Sequence, residues 1–113
     1  MKKIAIALEN DRQYREEFIM CREKHRPTLS HEYMWVGNED SKEVVKFPIS
    51  ADVFVARYHH NGNDWTEMSI VHIQNGREDV VFYSEDLRDY EHFEETIENL
   101  NKKGFQRMLD CDY

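Results

Sequence analysis

Apolar and polar residues alternate along residues 53–83, and this is the clearest pattern in the chain. The stretches DVFVARYHH, WTEMSIVHIQ and DVVFY are rich in β-branched and aromatic residues, and they are separated by Asn61-Gly62 and Asn75-Gly76. A period of two is that of a β-strand, and Asn-Gly favours the tight turns of β-hairpins. The pattern therefore predicts a meander of three antiparallel strands.

The segment before the meander predicts a strand and then a helix. Residues 3–8, KIAIAL, form a short apolar run that is typical of a strand inside a sheet. Asn10 is of a type that caps helix N-termini, and Pro27 is of a type that ends helices. Between these positions, large residues recur at the spacing of one helix face: Tyr14, Phe18, Cys21 and His25. A first helix is therefore predicted between Asn10 and Pro27.

A hairpin is predicted between this helix and the meander. HEYMWV begins at His31, EVVKFPI ends at Ile49, and the polar stretch GNEDSK lies between them. Both apolar stretches have strand-like composition, so they are expected to pair with each other. Pro48 cannot donate a hydrogen bond to a neighbouring strand, which favours an edge position.

A second helix is predicted from about Glu85 to Lys103. Ser84 can cap its N-terminus, and Gly104 stands where the left-handed residue after a helix is expected. The predicted buried stripe of this helix consists of Leu87, Tyr90, Phe93, Ile97 and Leu100. The short stretch FQRML that follows is expected to join the sheet or to pack beneath the helix.

Together these elements predict an α+β fold. We expect one compact domain over residues 1–113, in which a mostly antiparallel sheet of about five to seven strands packs with two helices. Its core is expected to contain Phe18, Phe47, Val55, Ile70, Val81, Phe93, Ile97 and Leu100.

The composition adds a strongly acidic character to this fold. The net charge is −8, and residues 78–98 carry nine acidic side chains against one base, Arg88. Such a surface repels nucleic-acid phosphates and anionic membranes, so direct binding to either is not expected. No apolar run approaches the ~20 residues that cross a bilayer. The two cysteines, Cys21 and Cys111, indicate no disulfide framework, and a cytoplasmic protein is predicted.

The most suggestive candidate chemistry lies in the second hairpin of the meander. His72 and Asp79 are expected to lie opposite each other, and a carboxylate that orients an imidazole is the centre of many general-base arrangements. With a further carboxylate such as Glu67 or Glu32, this pair defines one alternative function, that of a small hydrolase or nuclease. The competing interpretation is a polar pair across an exposed hairpin.

The faces of the meander depend on the lengths of its two connections. If each has two or four residues, Arg57 and His59 share a face with His72 and Asp79. His59 and His72 would still lie at opposite ends of the strand pair, roughly 15–20 Å apart by the rise of a strand. Neither a metal site nor a cofactor is therefore predicted.

The predicted second helix carries a row of carboxylates. Carboxylates spaced along a helix can stand in for the phosphates of a nucleic acid, and exposed aromatic residues can anchor a protein interface. The candidate interaction residues are Glu85, Asp86, Asp89, Glu91, Glu94, Glu95, Glu98, Trp35 and Trp65. The competing interpretation is a solvated surface.

The preferred hypothesis is a small acidic, non-catalytic interaction protein, of a kind often encoded by phages or mobile elements. It would act as an inhibitor or regulator by covering a basic, nucleic-acid-binding surface of a larger protein. The alternatives are the small hydrolase or nuclease and a small-ligand-binding module with its pocket between the sheet and a helix. Whether the chain is a monomer or a homodimer stays open.

Overall fold

The structure is a computed structural model that describes residues 13–23, 33–36, 45–61 and 65–110. The described part of the chain forms an α+β fold with a five-stranded antiparallel sheet, a separate two-stranded sheet and one α-helix, α1. The strands are β1 (Gln13–Cys21), β2 (Tyr33–Val36), β3 (Val45–Pro48), β4 (Asp52–Asn61), β5 (Trp65–Gln74), β6 (Arg77–Ser84) and β7 (Gln106–Asp110), and α1 spans Tyr90–Lys102.

The predicted meander is confirmed as strands β4, β5 and β6, which lie side by side in the order β6-β5-β4-β1-β7. Gln74 pairs with Arg77 across a two-residue turn, and Asn75 and Gly76 both have positive φ, at 52° and 78°. Positive φ at both central positions is the geometry that favours Asn-Gly in such turns. The sequence signal and the backbone agree here.

The predicted assignment of side chains to the two faces of the meander assumes connections of two or four residues, and the connection between β4 and β5 has neither length. Asn61 pairs with Trp65, so three residues lie between the strands. Because the number of connecting residues is odd, each side chain of β5 lies on the face of the sheet opposite to the predicted one. His72 therefore shares a face with Phe54, and Arg57 and His59 lie on the opposite face, which corrects the predicted assignment.

The predicted first helix is wrong, because its central part is strand β1. Residues Gln13–Cys21 pair with β4 on one side and, through Phe18–Cys21, with β7 on the other, so β1 is an interior strand. Tyr14 and Phe18 lie four residues apart, which fits one helix face and one strand face equally well. The continuous run Phe18–Cys21 is buried on both faces of the sheet, and such a run is typical of an interior strand.

The second predicted helix is confirmed, although it begins later than expected. A 3₁₀ turn, Leu87–Asp89, precedes α1, and Asp86 caps that turn by accepting a hydrogen bond from the backbone N–H of Arg88. Ser84, the predicted cap, instead donates a hydrogen bond to the Asp89 carboxylate at 2.6 Å. After the helix, Gly104 has φ of 98° and ends the element as predicted.

Helix α1 covers one face of the sheet and forms the main core with it. The buried residues of this core are Phe18, Met20, Phe54, Ala56, Tyr58, Met68, Ile70, Tyr90, Phe93, Leu100 and Phe105. A second buried cluster lies on the opposite face and comprises Ile19, Cys21, Ala51, Val53, Val55 and Ile73. Both faces of the central strands are therefore buried.

Most predicted core residues that the structure describes are buried, but Val81 is not. Its side chain is 48% exposed, because β6 is an edge strand and Val81 has no Cα partner where the register between β5 and β6 shifts. Ile97 is half-buried beside the main core. The side chain of Phe47 lies outside the described residues.

The predicted hairpin before the meander is confirmed as the pair β2 and β3, in which Tyr33 pairs with Pro48. The predicted strand over residues 3–8 lies outside the described part of the chain, as do Glu32 and the side chain of Trp35. The final stretch, FQRML, contributes β7 at the edge of the sheet beside β1. In the ranges that the structure describes, no helix combines the length and the apolar character needed to cross a membrane.

Candidate functional site

A cleft of about 490 Å³ lies between α1 and strands β1 and β7. Strand β1 contributes Glu16, Phe18 and Met20, which share a face because side chains alternate along a strand. Strand β7 contributes Arg107. Helix α1 contributes residues at helical spacing: Tyr90, Phe93, Glu94, Ile97, Glu98 and Asn101.

The cleft combines an apolar floor with a charged rim. Phe18, Met20 and Phe93 are buried members of the main core. The rim carries three carboxylates and one guanidinium, those of Glu16, Glu94, Glu98 and Arg107. A group bound in the cleft would meet apolar surface below it and a net negative charge at its sides.

An ion pair joins β7 to β1 inside the cleft. Arg107 Nη1 donates a hydrogen bond to Glu16 Oε1 at 2.8 Å, and the Tyr14 hydroxyl donates to Glu16 Oε2 at 3.0 Å. The guanidinium carbon of Arg107 lies 4.3 Å from the centroid of the Phe18 ring, which is within the range of a cation–π interaction. The cleft therefore already contains a cation that lies over an aromatic ring and bonds to a carboxylate.

Three tyrosines cluster beside the cleft. The ring centroid of Tyr58 lies 5.4 Å from that of Tyr14 and 5.0 Å from that of Tyr90. Burial raises the pKa of Tyr90 to about 12, and burial is also the main reason why the pKa values of Tyr14 and Tyr58 lie above the usual 10.0. The three hydroxyls therefore stay neutral at physiological pH and leave the charge of the cleft to its carboxylates and Arg107.

The structure divides the predicted row of helix carboxylates between two surfaces. Glu91, Glu95 and Glu98 are exposed, whereas Glu94 is half-buried and lines the cleft beside Ile97. Glu98 also lines the cleft, and Glu91 and Glu95 do not, but the half-buried member of these four is Glu94. Glu94 precedes Ile97 by three residues, so the two side chains are neighbours on the helix and Glu94 lies at the edge of the apolar stripe.

The acidic residues that precede α1 make local contacts. Arg88 Nη2 lies 2.6 Å from Asp86 Oδ2, and hydrogen bonds from Arg88 lower the pKa of Asp86 to about 2. Asp89 accepts a hydrogen bond from the serine at the end of β6, and Glu85 accepts one from the Tyr83 hydroxyl. These carboxylates lie outside the cleft.

His72 and Asp79 lie opposite each other as predicted, but the imidazole bonds to a different carboxylate. His72 Nε2 lies 2.5 Å from Asp52 Oδ1, and the ring stacks on Phe54 with centroids 4.3 Å apart. Glu67 pairs with His59 and so lies on the other face of β5. The predicted set of His72, Asp79 and Glu67 is therefore not brought together.

A buried carboxylate lies on the face opposite the cleft. Glu17 is 4% exposed, and its Oε1 lies 2.8 Å from His59 Nε2 and 3.5 Å from Arg57 Nε. Its Oε2 is buried and has no hydrogen-bond partner among the described residues. The indole of Trp65, 41% exposed, lies 5.7 Å from the His59 ring, which places this predicted anchor away from the cleft.

The sequence did not single out the residues of β1 and β7 that form these contacts. The predicted helix between Asn10 and Pro27 contains Glu16 and Glu17 without a role for either, and Arg107 lies in FQRML, which is predicted to join the sheet or to pack beneath the second helix. The signal that indicates the strand is the alternation of Tyr14, Glu16, Phe18 and Met20 on one face. The same alternation sends the adjacent carboxylates of Glu16 and Glu17 to opposite faces.

The described residues contain no group of three or more histidine, cysteine, aspartate or glutamate side chains that could hold a metal ion. Comparisons of the chain with models of protein families, with curated proteins and with solved structures found no match. The cleft, with its apolar floor and charged rim, is the feature of the structure that bears on function.

Proposed function

We propose that the chain is a small acidic, non-catalytic interaction protein that binds a basic, amphipathic segment of a partner protein in the cleft. The observation that carries this proposal is the apolar floor between three carboxylates. Ile97, which is half-buried beside the buried rings of Phe18 and Phe93, offers apolar surface to the aliphatic part of an incoming side chain. Glu94 and Glu98 offer negative charge to its cationic end.

The charge of the whole chain supports a basic partner. The net charge is −8, and the exposed carboxylates of Glu91 and Glu95 extend the negative surface from the cleft around α1. Such a field attracts a cationic segment before contact and speeds its association, while the contacts inside the cleft determine how long it stays bound.

The size of the cleft suits a few side chains and not a folded domain. A volume of about 490 Å³ falls within the usual range of small-molecule pockets, roughly 300–1,000 Å³. A short segment can place its side chains between α1 and β1 while its backbone stays outside. Trp65 lies on the opposite face of the sheet and is therefore not part of the proposed contact.

The partner that we propose is a nucleic-acid-binding protein. Basic segments that normally face nucleic-acid phosphates have the charge that this cleft accepts, and a bound acidic domain would keep nucleic acid away from them. Under this proposal the chain inhibits or regulates a nucleic-acid-binding protein by covering its basic surface.

The decisive experiment compares two double charge reversals in the same helix. Glu94→Lys with Glu98→Lys alters the rim of the cleft, and Glu91→Lys with Glu95→Lys makes the same change in charge outside it. The probe is a fluorescent peptide of alternating leucine and arginine, and its affinity is measured by anisotropy at physiological salt. We expect the cleft variant to bind at least about tenfold more weakly than the parent, and the outer variant to lose about threefold or less.

Equal losses in the two variants would mean that only net charge matters, and would overturn the assignment of the cleft. A parent chain that does not bind the peptide would overturn the proposal itself. A single arginine derivative that binds as tightly as the peptide would instead identify a small-ligand-binding module. Far-ultraviolet circular dichroism of each variant controls for the fold.

A further inference from the structure

Arg107 is the cationic side chain of the cleft, and its surroundings show what the cleft can hold. Its guanidinium bonds to Glu16 at 2.8 Å and lies 4.3 Å from the centroid of the Phe18 ring. A planar guanidinium suits both contacts, because it can present several N–H groups to a carboxylate while its face lies on a ring. The side chain is still 43% exposed, so it lies at the mouth of the cleft and not in the core.

We propose that Arg107 occupies, within the chain itself, the position that an arginine of the partner takes on binding. This inference rests on the proposed function and names the chemical group that the cleft recognises, a guanidinium. The partner's arginine would compete with Arg107 for the Glu16 carboxylate and the Phe18 ring. The internal ion pair therefore weakens binding of the partner and selects for a group that reproduces both contacts.

The position of Arg107 in the fold makes such an exchange feasible. It is carried by β7, which lies at one of the two edges of the sheet, so β1 is the only strand with which its segment pairs in the described part of the chain. Its carboxylate partner is fixed independently, since the Tyr14 hydroxyl donates to the other oxygen of Glu16. Glu16 can therefore stay in position when Arg107 moves away.

Arg88 provides a matched control. It also pairs with a carboxylate, that of Asp86, at 2.6 Å, but its side chain is 89% exposed and lies outside the cleft. Arg107→Ala removes the contact with Glu16, Arg88→Ala removes the contact with Asp86, and each makes the net charge more negative by one. The two variants differ in whether the carboxylate that loses this contact lines the cleft.

The test measures binding of the alternating leucine-arginine peptide and of its leucine-lysine counterpart to the parent chain and to both variants. We expect Arg107→Ala to bind the arginine peptide roughly three- to tenfold more tightly than the parent, because Glu16 and Phe18 become accessible. Arg88→Ala should bind within about twofold of the parent. The parent should bind the arginine peptide more tightly than the lysine peptide.

Unchanged or weaker binding by Arg107→Ala would overturn the role of Arg107 as an internal competitor, and equal affinity for both peptides would overturn guanidinium recognition. Either result leaves the proposed function standing if the Glu94 and Glu98 reversals still weaken binding. If the alanine variant does not fold, Arg107→Gln keeps a polar side chain of intermediate length, removes its charge and has the same expected outcome. Failure of the parent to bind either peptide would count against the proposed function as a whole.

Discussion

At the scale of single residues, this chain buries ionisable side chains, and some of their polar atoms have no hydrogen-bond partner among the described residues. Glu17 is buried against His59 and Arg57, and Tyr58 is buried with a hydroxyl that makes no hydrogen bond within the described residues. A buried polar atom without a partner costs about 1–3 kcal/mol. The apolar contacts around β1 and β4 therefore offset a local cost.

The tyrosine cluster predicts a pH limit for the fold. Burial raises the folded-state pKa of Tyr90 to about 12, above the 10.0 that applies to an unfolded chain, and it raises those of Tyr14 and Tyr58 in the same direction. A raised pKa means that the neutral form is favoured by folding. The stability that the folded chain gains by favouring neutral tyrosines is complete below pH 10, and it is lost as the pH rises through the folded-state pKa values.

We therefore expect the free energy of unfolding to fall as the pH rises above 10. In Tyr90→Phe the decline should be shallower, because this variant titrates one buried tyrosine fewer. Urea unfolding at a series of alkaline pH values measures the slope, and the absorbance of tyrosinate reports ionisation. Full ionisation of the tyrosines near pH 10 in a chain that is still folded would contradict the role of burial.

At the scale of elements, helix α1 and edge strand β6 have opposite relations to the core. Phe93 and Leu100 of α1 are buried against the sheet, whereas Val80 and Val81 of β6 are 64% and 48% exposed. The helix is amphipathic and covers one face of the central strands, but the register shift and the edge position leave these valines at the surface. The apolar character of a residue alone therefore does not show whether its side chain is buried, as in α1, or exposed, as in β6.

This difference predicts unequal effects of two alanine substitutions. Phe93→Ala should lower the free energy of unfolding by about 3–5 kcal/mol, because it opens a cavity beneath α1. Val81→Ala should change it by less than about 0.5 kcal/mol, because the side chain buries little surface. Urea denaturation monitored by circular dichroism compares them. A loss above about 1 kcal/mol for Val81→Ala would show that β6 is covered.

At the scale of the whole molecule, the fold separates the acidic cleft from the other face of the sheet. Helix α1, with its outward glutamates, lies on one side, and the cluster of Glu17, Arg57 and His59 lies on the other. The net charge of −8 therefore acts together with the local charge of the cleft on any cationic partner that approaches α1.

Binding of the leucine-arginine peptide should accordingly depend on salt through its association rate. Raising the ionic strength from low to physiological values should slow association more than it changes dissociation, because mobile ions screen the long-range attraction. Stopped-flow anisotropy resolves the two rates. The Glu94→Lys, Glu98→Lys variant should show a weaker dependence on salt, and an association rate that is independent of salt in the parent would contradict electrostatic attraction as the cause.

The sequence by itself determined the elements whose signals are local. Alternation and Asn-Gly turns specified the meander, helical spacing and Gly104 specified the final helix, and composition specified the acidic surface. These signals suffice because turn geometry and the burial of one helix face depend on neighbouring residues.

Only the tertiary structure decided the identity of β1, the faces of β5 and the existence of the cleft. The spacing of Tyr14 and Phe18 fits one helix face or one strand face, and pairing of Gln13–Cys21 with β4 and β7 selected the strand. A connection of three residues inverted β5, so that His72 lies on the face of Phe54, where it bonds to Asp52, and not on the face of Arg57 and His59. The cleft depends on contacts such as Glu16 with Arg107, which are 91 residues apart. Local propensity cannot specify such pairings, because their free energy is gained only when distant segments bury each other's surface.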